Sequence, residues 1–218
     1  MLAARDPSNA QWQRAIGVDA DRMGSLMRAR GDLKAALPWS RESDAASLRV
    51  AAIAPGNLEW QRDVFISALQ LGMLLAELDR LDEARTELQR AVDIQERLMT
   101  TTAPDTARAE RELSLALDQL GAVELKAHHL AAGQALLLRS IETLKRYFRK
   151  VDTPAVRQDL AHTLLRLAES ERGIVARDHL EEAVGILDPI RALSEGNPEL
   201  RRLMVQVDEA RRTARARR

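Results

Sequence analysis

The sequence predicts an all-α fold of antiparallel helix pairs, and two observations support this. The first is an internal repeat, because the Pro, Asn, Trp, Gln and Arg residues of segment 7–14 recur in segment 55–62, 48 residues later. A period of roughly 20–50 residues is typical of solenoids, in which each unit buries its apolar face against its neighbours. The second is composition, since apolar residues make up 45% of the chain and aromatic residues only 3%. This balance favours helices packed through Ala and Leu over sheets.

A glycine that follows a large apolar residue marks each copy of the repeat. This pair occurs at Met23–Gly24, Leu71–Gly72 and Leu120–Gly121, at spacings of 48 and 49 residues. The third copy begins at Pro104 and has no tryptophan. In the first two copies Trp12 and Trp60 hold the same position, and we expect them to pack between successive helix pairs.

Turn and capping residues such as Pro55, Gly56 and Asn57 place the helices in order. The predicted helices are 10–30, 33–53, 58–78, 81–99, 106–127, 130–150, 154–172, 176–193 and 197–216. They group into repeats of about 7–54, 55–103, 104–152 and 153–195, followed by a capping helix at 197–216. The sequence therefore predicts one array over 1–218, with four helix pairs and a C-terminal cap. Pro38 and Pro189 fall inside predicted helices, and each is expected to bend or interrupt its helix.

The second copy resembles a tetratricopeptide repeat. That family has a large residue and a glycine in helix A and small residues in helix B, matched here by Leu71–Gly72, Ala84, Leu88 and Ala91. The third copy is similar through Leu120–Gly121, Gly133, Leu137 and Ser140. The family unit has about 34 residues, so the longer period here means about two extra turns in each helix. The resemblance covers residues 6–150 well and implies a right-handed α-solenoid.

The resemblance also implies a function, since tetratricopeptide arrays bind peptides or protein segments in a concave groove lined by the A helices. Carried over by register, the groove would contain Asp21, Ser25, Arg28, Leu69, Met73, Glu77, Asp118, Leu125 and Lys126. Charges of both signs flank an apolar centre in this set, which suits a segment that itself carries both signs. The sequence thus predicts a non-enzymatic scaffold with a protein or peptide partner.

Several classes of site have no support in the sequence. The chain has 33 basic and 33 acidic residues and no cysteine, so neither a global field nor thiolate chemistry is available. No run of 18 apolar residues exists, none of the glycines forms a phosphate-binding loop, and the four histidines lack metal-ligand spacing. We therefore expect no catalytic residues, metal, cofactor or membrane partner, and a cytoplasmic location. The acidic pairs Asp82–Glu83 and Glu181–Glu182 are expected to cap helices.

The ends of the chain suggest three alternatives. Residues 2–6 read like the end of a helix B, which predicts a C-terminal part of a larger protein; similar long repeats occur in bacterial proteins joined to signalling or effector domains. Alternatively, the first helix pair is uncovered and forms a homo-oligomer through Leu2, Trp12, Ile16 and Met23. The arginines of segment 211–218 offer a third function, nucleic-acid binding.

Overall fold

The computed structural model describes residues 9–101 and 106–216, with the side chains of 106 and 107 excepted. This part of the chain is helical, without strands, and confirms the predicted class of consecutive helix pairs. The helices are α1 Ala10–Ala29, α2 Leu33–Ile53, α3 Leu58–Glu77, α4 Leu81–Thr101, α5 Thr106–Lys126, α6 Leu130–Phe148, α7 Pro154–Ser170, α8 Gly173–Leu187 and α9 Pro198–Ala216. A 3-10 helix, Asp188–Glu195, connects α8 to α9. Residues 1–8, which include the predicted half-repeat at the start of the chain, lie outside the described residues.

The helices fall into two compact units, Met1–Asp105 and Thr106–Arg218, called unit 1 and unit 2 below. In unit 1, α1 packs on α2, α2 on α3 and α3 on α4. In unit 2 the same order runs from α5 to α9. Each unit is therefore a stack of antiparallel pairs. A single array across the two units, with the repeat boundaries given above, stays a prediction.

Close packing within a pair depends on the glycine that marks the repeat. A Cβ atom at Gly72 would lie 2.6 Å from Cγ of Leu88, which is fully buried in α4. At Gly121 the corresponding atom would lie 3.0 Å from Cγ of Leu137 in α6. Because carbon atoms at ordinary contact are about 3.5–4.0 Å apart, glycine is what allows these helices to approach each other.

The recurring segment before helices α1 and α3 is a capping motif. Oδ1 of Asn9 accepts a hydrogen bond from the backbone N–H of Trp12 at 3.2 Å, and Asn57 makes the same 3.2 Å bond with Trp60. These bonds satisfy backbone donors that the first turn of a helix leaves free. Both tryptophans are half-buried, and their packing between successive helix pairs stays a prediction.

The two internal prolines behave differently. Pro38 is the sixth residue of α2, which continues unbroken to Ile53, so the helix is not interrupted there and a bend at Pro38 stays a prediction. The proline is exposed, and so is Lys34, whose carbonyl loses its partner; water can replace that bond. At Pro189 the interruption is confirmed, because α8 ends at Leu187 and the 3-10 helix begins at Asp188.

Candidate functional site

The candidate surface is described by register within the A helices, the first helix of each pair: α1, α3, α5, α7 and α9. We number positions from the glycine of the repeat, which is Gly24 in α1, Gly72 in α3 and Gly121 in α5. Ala168 holds the corresponding place in α7 after Leu167. Position −6, for example, is Val18 in α1.

Ion pairs connect neighbouring A helices within each unit. They are Arg14–Asp63 and Arg28–Glu77 in unit 1, and Arg111–Asp159 and Asp118–Arg166 in unit 2. All four pairs follow one rule: a residue at position p of one A helix pairs with the residue at position p+1 of the next A helix. In both units, therefore, the ion pairs join neighbouring A helices with the same offset of one position, which we call the diagonal register.

In unit 1 a hollow of about 190 Å³ opens between α1, α2 and α3. The Arg14–Asp63 ion pair lines one part of it, with 3.2 Å between Nε and Oδ2. Val18 and Ile66, both at position −6, also line it, and Val18 is 44% exposed. Asp21 at position −3 adds a carboxylate. We call this the unit 1 hollow.

In unit 2 a larger hollow of about 660 Å³ repeats this arrangement between α5, α6, α7 and α9. It contains the Arg111–Asp159 ion pair, Leu115 at position −6 and Asp118 at position −3. His162 takes position −6 in α7, where the apolar residue stands in the earlier A helices. Helix α9 adds polar side chains that have no counterpart in unit 1, namely Glu199, Arg202 and Gln206. We call this the unit 2 hollow.

The two carboxylates at position −3 lie in different electrostatic surroundings. Asp118 is buried, and its Oδ2 accepts a hydrogen bond from Nη1 of Arg166 at 2.5 Å. Asp21 is half-buried, and burial without a compensating cation raises its pKa above the ordinary value. In unit 2, burial and then the charge of Arg166 lower the pKa of His162, so this ring is neutral near pH 7.

The structure distributes the nine predicted groove residues over several environments. Asp21 and Asp118 line the two hollows, and Arg28 pairs with Glu77 across α1 and α3. The remaining five are Ser25 and Lys126, which are exposed, Met73, which is half-buried, Leu69, which is buried, and Leu125, which packs against the core of unit 2. The structure therefore places four charged members in the two hollows or in an ion pair between A helices. The apolar members Leu69, Met73 and Leu125 line neither the unit 1 hollow nor the unit 2 hollow.

The sequence prediction missed the apolar residues that do line the hollows. Val18, Ile66 and Leu115 each precede the repeat glycine by six residues, and this recurrence was the signal that could have identified them. The contribution of α9 had no such signal, because this helix has no glycine to fix its register.

The two adjacent histidines lie in a turn between helices. His128 and His129 form the corner between α5 and α6, where His128 has a φ of 64°. Nδ1 of His129 lies 2.6 Å from Oε2 of Glu124. Over residues 9–101 and 106–216, no group of three metal-ligating side chains comes together. No helix in the same residues is long and apolar enough to span a membrane.

The acidic pair Glu181–Glu182 does not cap a helix, so that prediction is wrong. Helix α8 begins at Gly173, three residues before the predicted start, which places both glutamates well inside it. Oε1 of Glu181 accepts hydrogen bonds from Arg211 and Arg215, each at 2.7 Å, and Glu182 pairs with Lys145 at 2.6 Å. Two arginines of the predicted nucleic-acid segment are thus held by α8, and residues 217–218 lie outside the described residues.

The paired helices, the glycine contacts and the diagonal register define a helical-repeat protein. Residues 63–122 match the family model of the tetratricopeptide repeat, which confirms the resemblance seen in the sequence. The sequence matches no curated protein.

Solved structures share the fold. One is a Podosopora anserina protein named as a kinesin light chain with nearly identical TPR-like repeats, with TM-score 0.58, 14% identity, and coverage of 97% of this chain and 89% of that chain. Another is BtubC (BKLC) from P. vanneervenii, with TM-score 0.58, 15% identity, and coverage of 99% and 84%. At these identities the likeness concerns the fold.

Proposed function

We propose that the protein is a non-enzymatic scaffold that binds a peptide or protein segment along its A helices. Tetratricopeptide-type folds typically serve protein–protein interaction, and the recurrence of one hollow at the same register in both units carries the proposal. Each hollow combines an apolar position −6 with charged residues at its edge, which is a composition suited to a side chain of a bound segment. The proposed setting is the cytoplasm, within a larger bacterial signalling or effector protein.

The exposed leucine of the unit 2 hollow provides the test. Leu115 and Leu138 are both 44% exposed, but Leu115 lines the hollow on α5 and Leu138 lies on α6 outside it. The full chain, Leu115→Gln and Leu138→Gln are used as baits, and captured proteins are quantified by mass spectrometry. We expect Leu115→Gln to lose partners that Leu138→Gln retains. Capture of no partner above background, or equal loss in both variants, would rule out binding at this surface.

Self-association is a second candidate function, favoured by apolar exposure on the first helix pair. Leu26 on α1 and Trp39 on α2 are 44% and 40% exposed, a surface that a second copy of the chain can cover. Light scattering over a range of concentrations tests this, with Leu26→Gln as the variant. A mass that stays that of one chain at every concentration argues against it.

Nucleic-acid binding through segment 211–218 stays the third candidate. It predicts binding that weakens steeply with salt and disappears when the segment is deleted.

A further inference from the structure

The unit 1 and unit 2 hollows differ at one position in a way that indicates a ligand. In unit 2 the carboxylate of Asp118 at position −3 is covered by Arg166 at position −2 of the next A helix, as the diagonal register requires. In unit 1 the residue at position −3 is again an aspartate, Asp21, but position −2 of the next A helix holds Gln70. Both residues line the unit 1 hollow.

Asp21 lacks the cation that its counterpart has. Among residues 9–101, no hydrogen bond or ion pair reaches its carboxylate, although it is half-buried. The basic residues that line the hollow are engaged elsewhere, since Arg14 binds Asp63 and Arg22 lies 3.7 Å from Asp19. A carboxylate withdrawn from water without a partner is unfavourable, and a bound cation relieves this cost.

The other walls of the unit 1 hollow suit the stem of a long basic side chain. Val18, Val50 and Ile66 provide apolar contacts beside Asp21. Arginine and lysine bury their methylene groups against such surfaces while the charged head meets a polar partner. The volume of about 190 Å³ accepts a side chain, whereas one turn of helix about 10 Å wide fills on the order of 400 Å³.

We propose that the unit 1 hollow binds an arginine side chain of a partner protein, with the guanidinium on Asp21 as that of Arg166 lies on Asp118. The inference rests on the scaffold function proposed above and specifies the partner's chemistry at one point. Arginine is favoured over lysine because the guanidinium is more weakly hydrated and donates hydrogen bonds in a planar fork. Unit 2 supplies this group from its own chain; unit 1 takes it from the partner.

The test uses the full chain and two peptides that differ in one group. The probes are the capped tripeptides Ala-Arg-Ala and Ala-citrulline-Ala, in which a neutral urea replaces the guanidinium. Amide chemical shifts in NMR spectra locate and quantify binding. We expect saturable shifts at Val18, Asp21 and Gln70 with the arginine peptide. We expect at least about tenfold weaker binding of the citrulline peptide, the difference that ~1.4 kcal/mol produces.

Three variants test the geometry. Asp21→Asn removes the charge and should abolish the difference between the peptides, whereas Glu59→Gln, at an exposed carboxylate of α3 that does not line the hollow, should preserve it. Gln70→Arg places a guanidinium where Arg166 stands in unit 2 and should both block the peptide and raise the Tm. The raised Tm shows that this variant is folded.

Several results would overturn the inference: no saturable shifts, equal binding of the two peptides, shifts confined to the unit 2 hollow, or undiminished binding to Asp21→Asn or Gln70→Arg. Any of them leaves the scaffold proposal standing, because its test depends on Leu115 and Leu138. Conversely, failure to capture a protein partner with the full chain leaves the peptide result unaffected.

Discussion

Nε and Nη2 of Arg111 both donate hydrogen bonds to one oxygen of Asp159, at 3.0 and 2.8 Å. Both side chains are more than 40% exposed, so water competes for the pair. The pair therefore fixes the register of α5 against α7 more than it stabilises the fold.

The first prediction compares this pair with the other ion pair between the same helices. A double-mutant cycle on Arg111 and Asp159 should give a coupling of about 0.5 kcal/mol. Arg166→Ala should destabilise by about 3 kcal/mol, because the buried carboxylate of Asp118 loses its ion-pair partner and keeps only a 3.3 Å hydrogen bond from Nε2 of Gln119. Urea unfolding of each variant measures both values. If the loss of stability in Arg166→Ala were no larger than the coupling energy between Arg111 and Asp159, burial would not distinguish the two ion pairs.

The second prediction concerns the glycine contact between α3 and α4. Gly72→Ala should destabilise by about 1–2 kcal/mol, because overpacking against the buried Leu88 exceeds the gain in helix propensity. Gly185→Ala is the control, since a Cβ at Gly185 in α8 meets no atom within 4 Å. That change should stabilise by about 0.5–1 kcal/mol. Thermal unfolding of the two variants should therefore shift in opposite directions.

The third prediction concerns the recurring tryptophan. Full burial of Trp60 would make Trp60→Ala cost about 3–5 kcal/mol, but the side chain is half-buried, so we expect about 2 kcal/mol. If Trp60 packs between helix pairs, partner affinity should fall only as far as the protein unfolds. An unchanged melting curve together with lost partner binding would instead make Trp60 a contact residue for the partner.

The fourth prediction follows from the raised pKa of Asp21. A carboxyl group whose pKa is higher in the folded state than in the unfolded state binds more protons when folded, so its contribution to stability decreases as pH rises through this interval. Asp21→Asn should therefore raise the Tm at pH 7, and the gain should disappear at a pH below the ordinary aspartate pKa. A gain for Asp21→Asn that is constant with pH would show that its origin is not the charge.

Much of the fold could be predicted because its signals are local. Asn57 and the preceding turn set the start of α3, and Gly72 marks its contact with α4. Each of these features can be recognised from a few consecutive residues. The error at α8 has a local cause too: Gly173 takes a φ of 69°, which starts the helix earlier than Ala176 suggested.

The hollows could be predicted only in part, because they depend on which residues of neighbouring helices face each other. The sequence contains Asp21 and Gln70, but their relationship appears only once Asp118 and Arg166 show that position −3 meets position −2. Helix α9 packs beside α7, which is distant from it in sequence. No local sequence pattern predicts which residues of α9 line the unit 2 hollow.

The diagonal register has a consequence for how such arrays change during evolution. Position −2 of one A helix faces position −3 of the A helix before it. The residue at position −2 alone therefore decides whether the carboxylate at position −3 has an ion-pair partner within the chain, as Arg166 does for Asp118, or none, as with Gln70. Asp21 and Gln70 line the unit 1 hollow, whereas the close contact within the pair α3–α4 is made by Gly72 and Leu88. Under the proposed function, a binding site of this kind can thus be opened or closed one repeat at a time by point mutation, while the helix pairs that carry it stay unchanged.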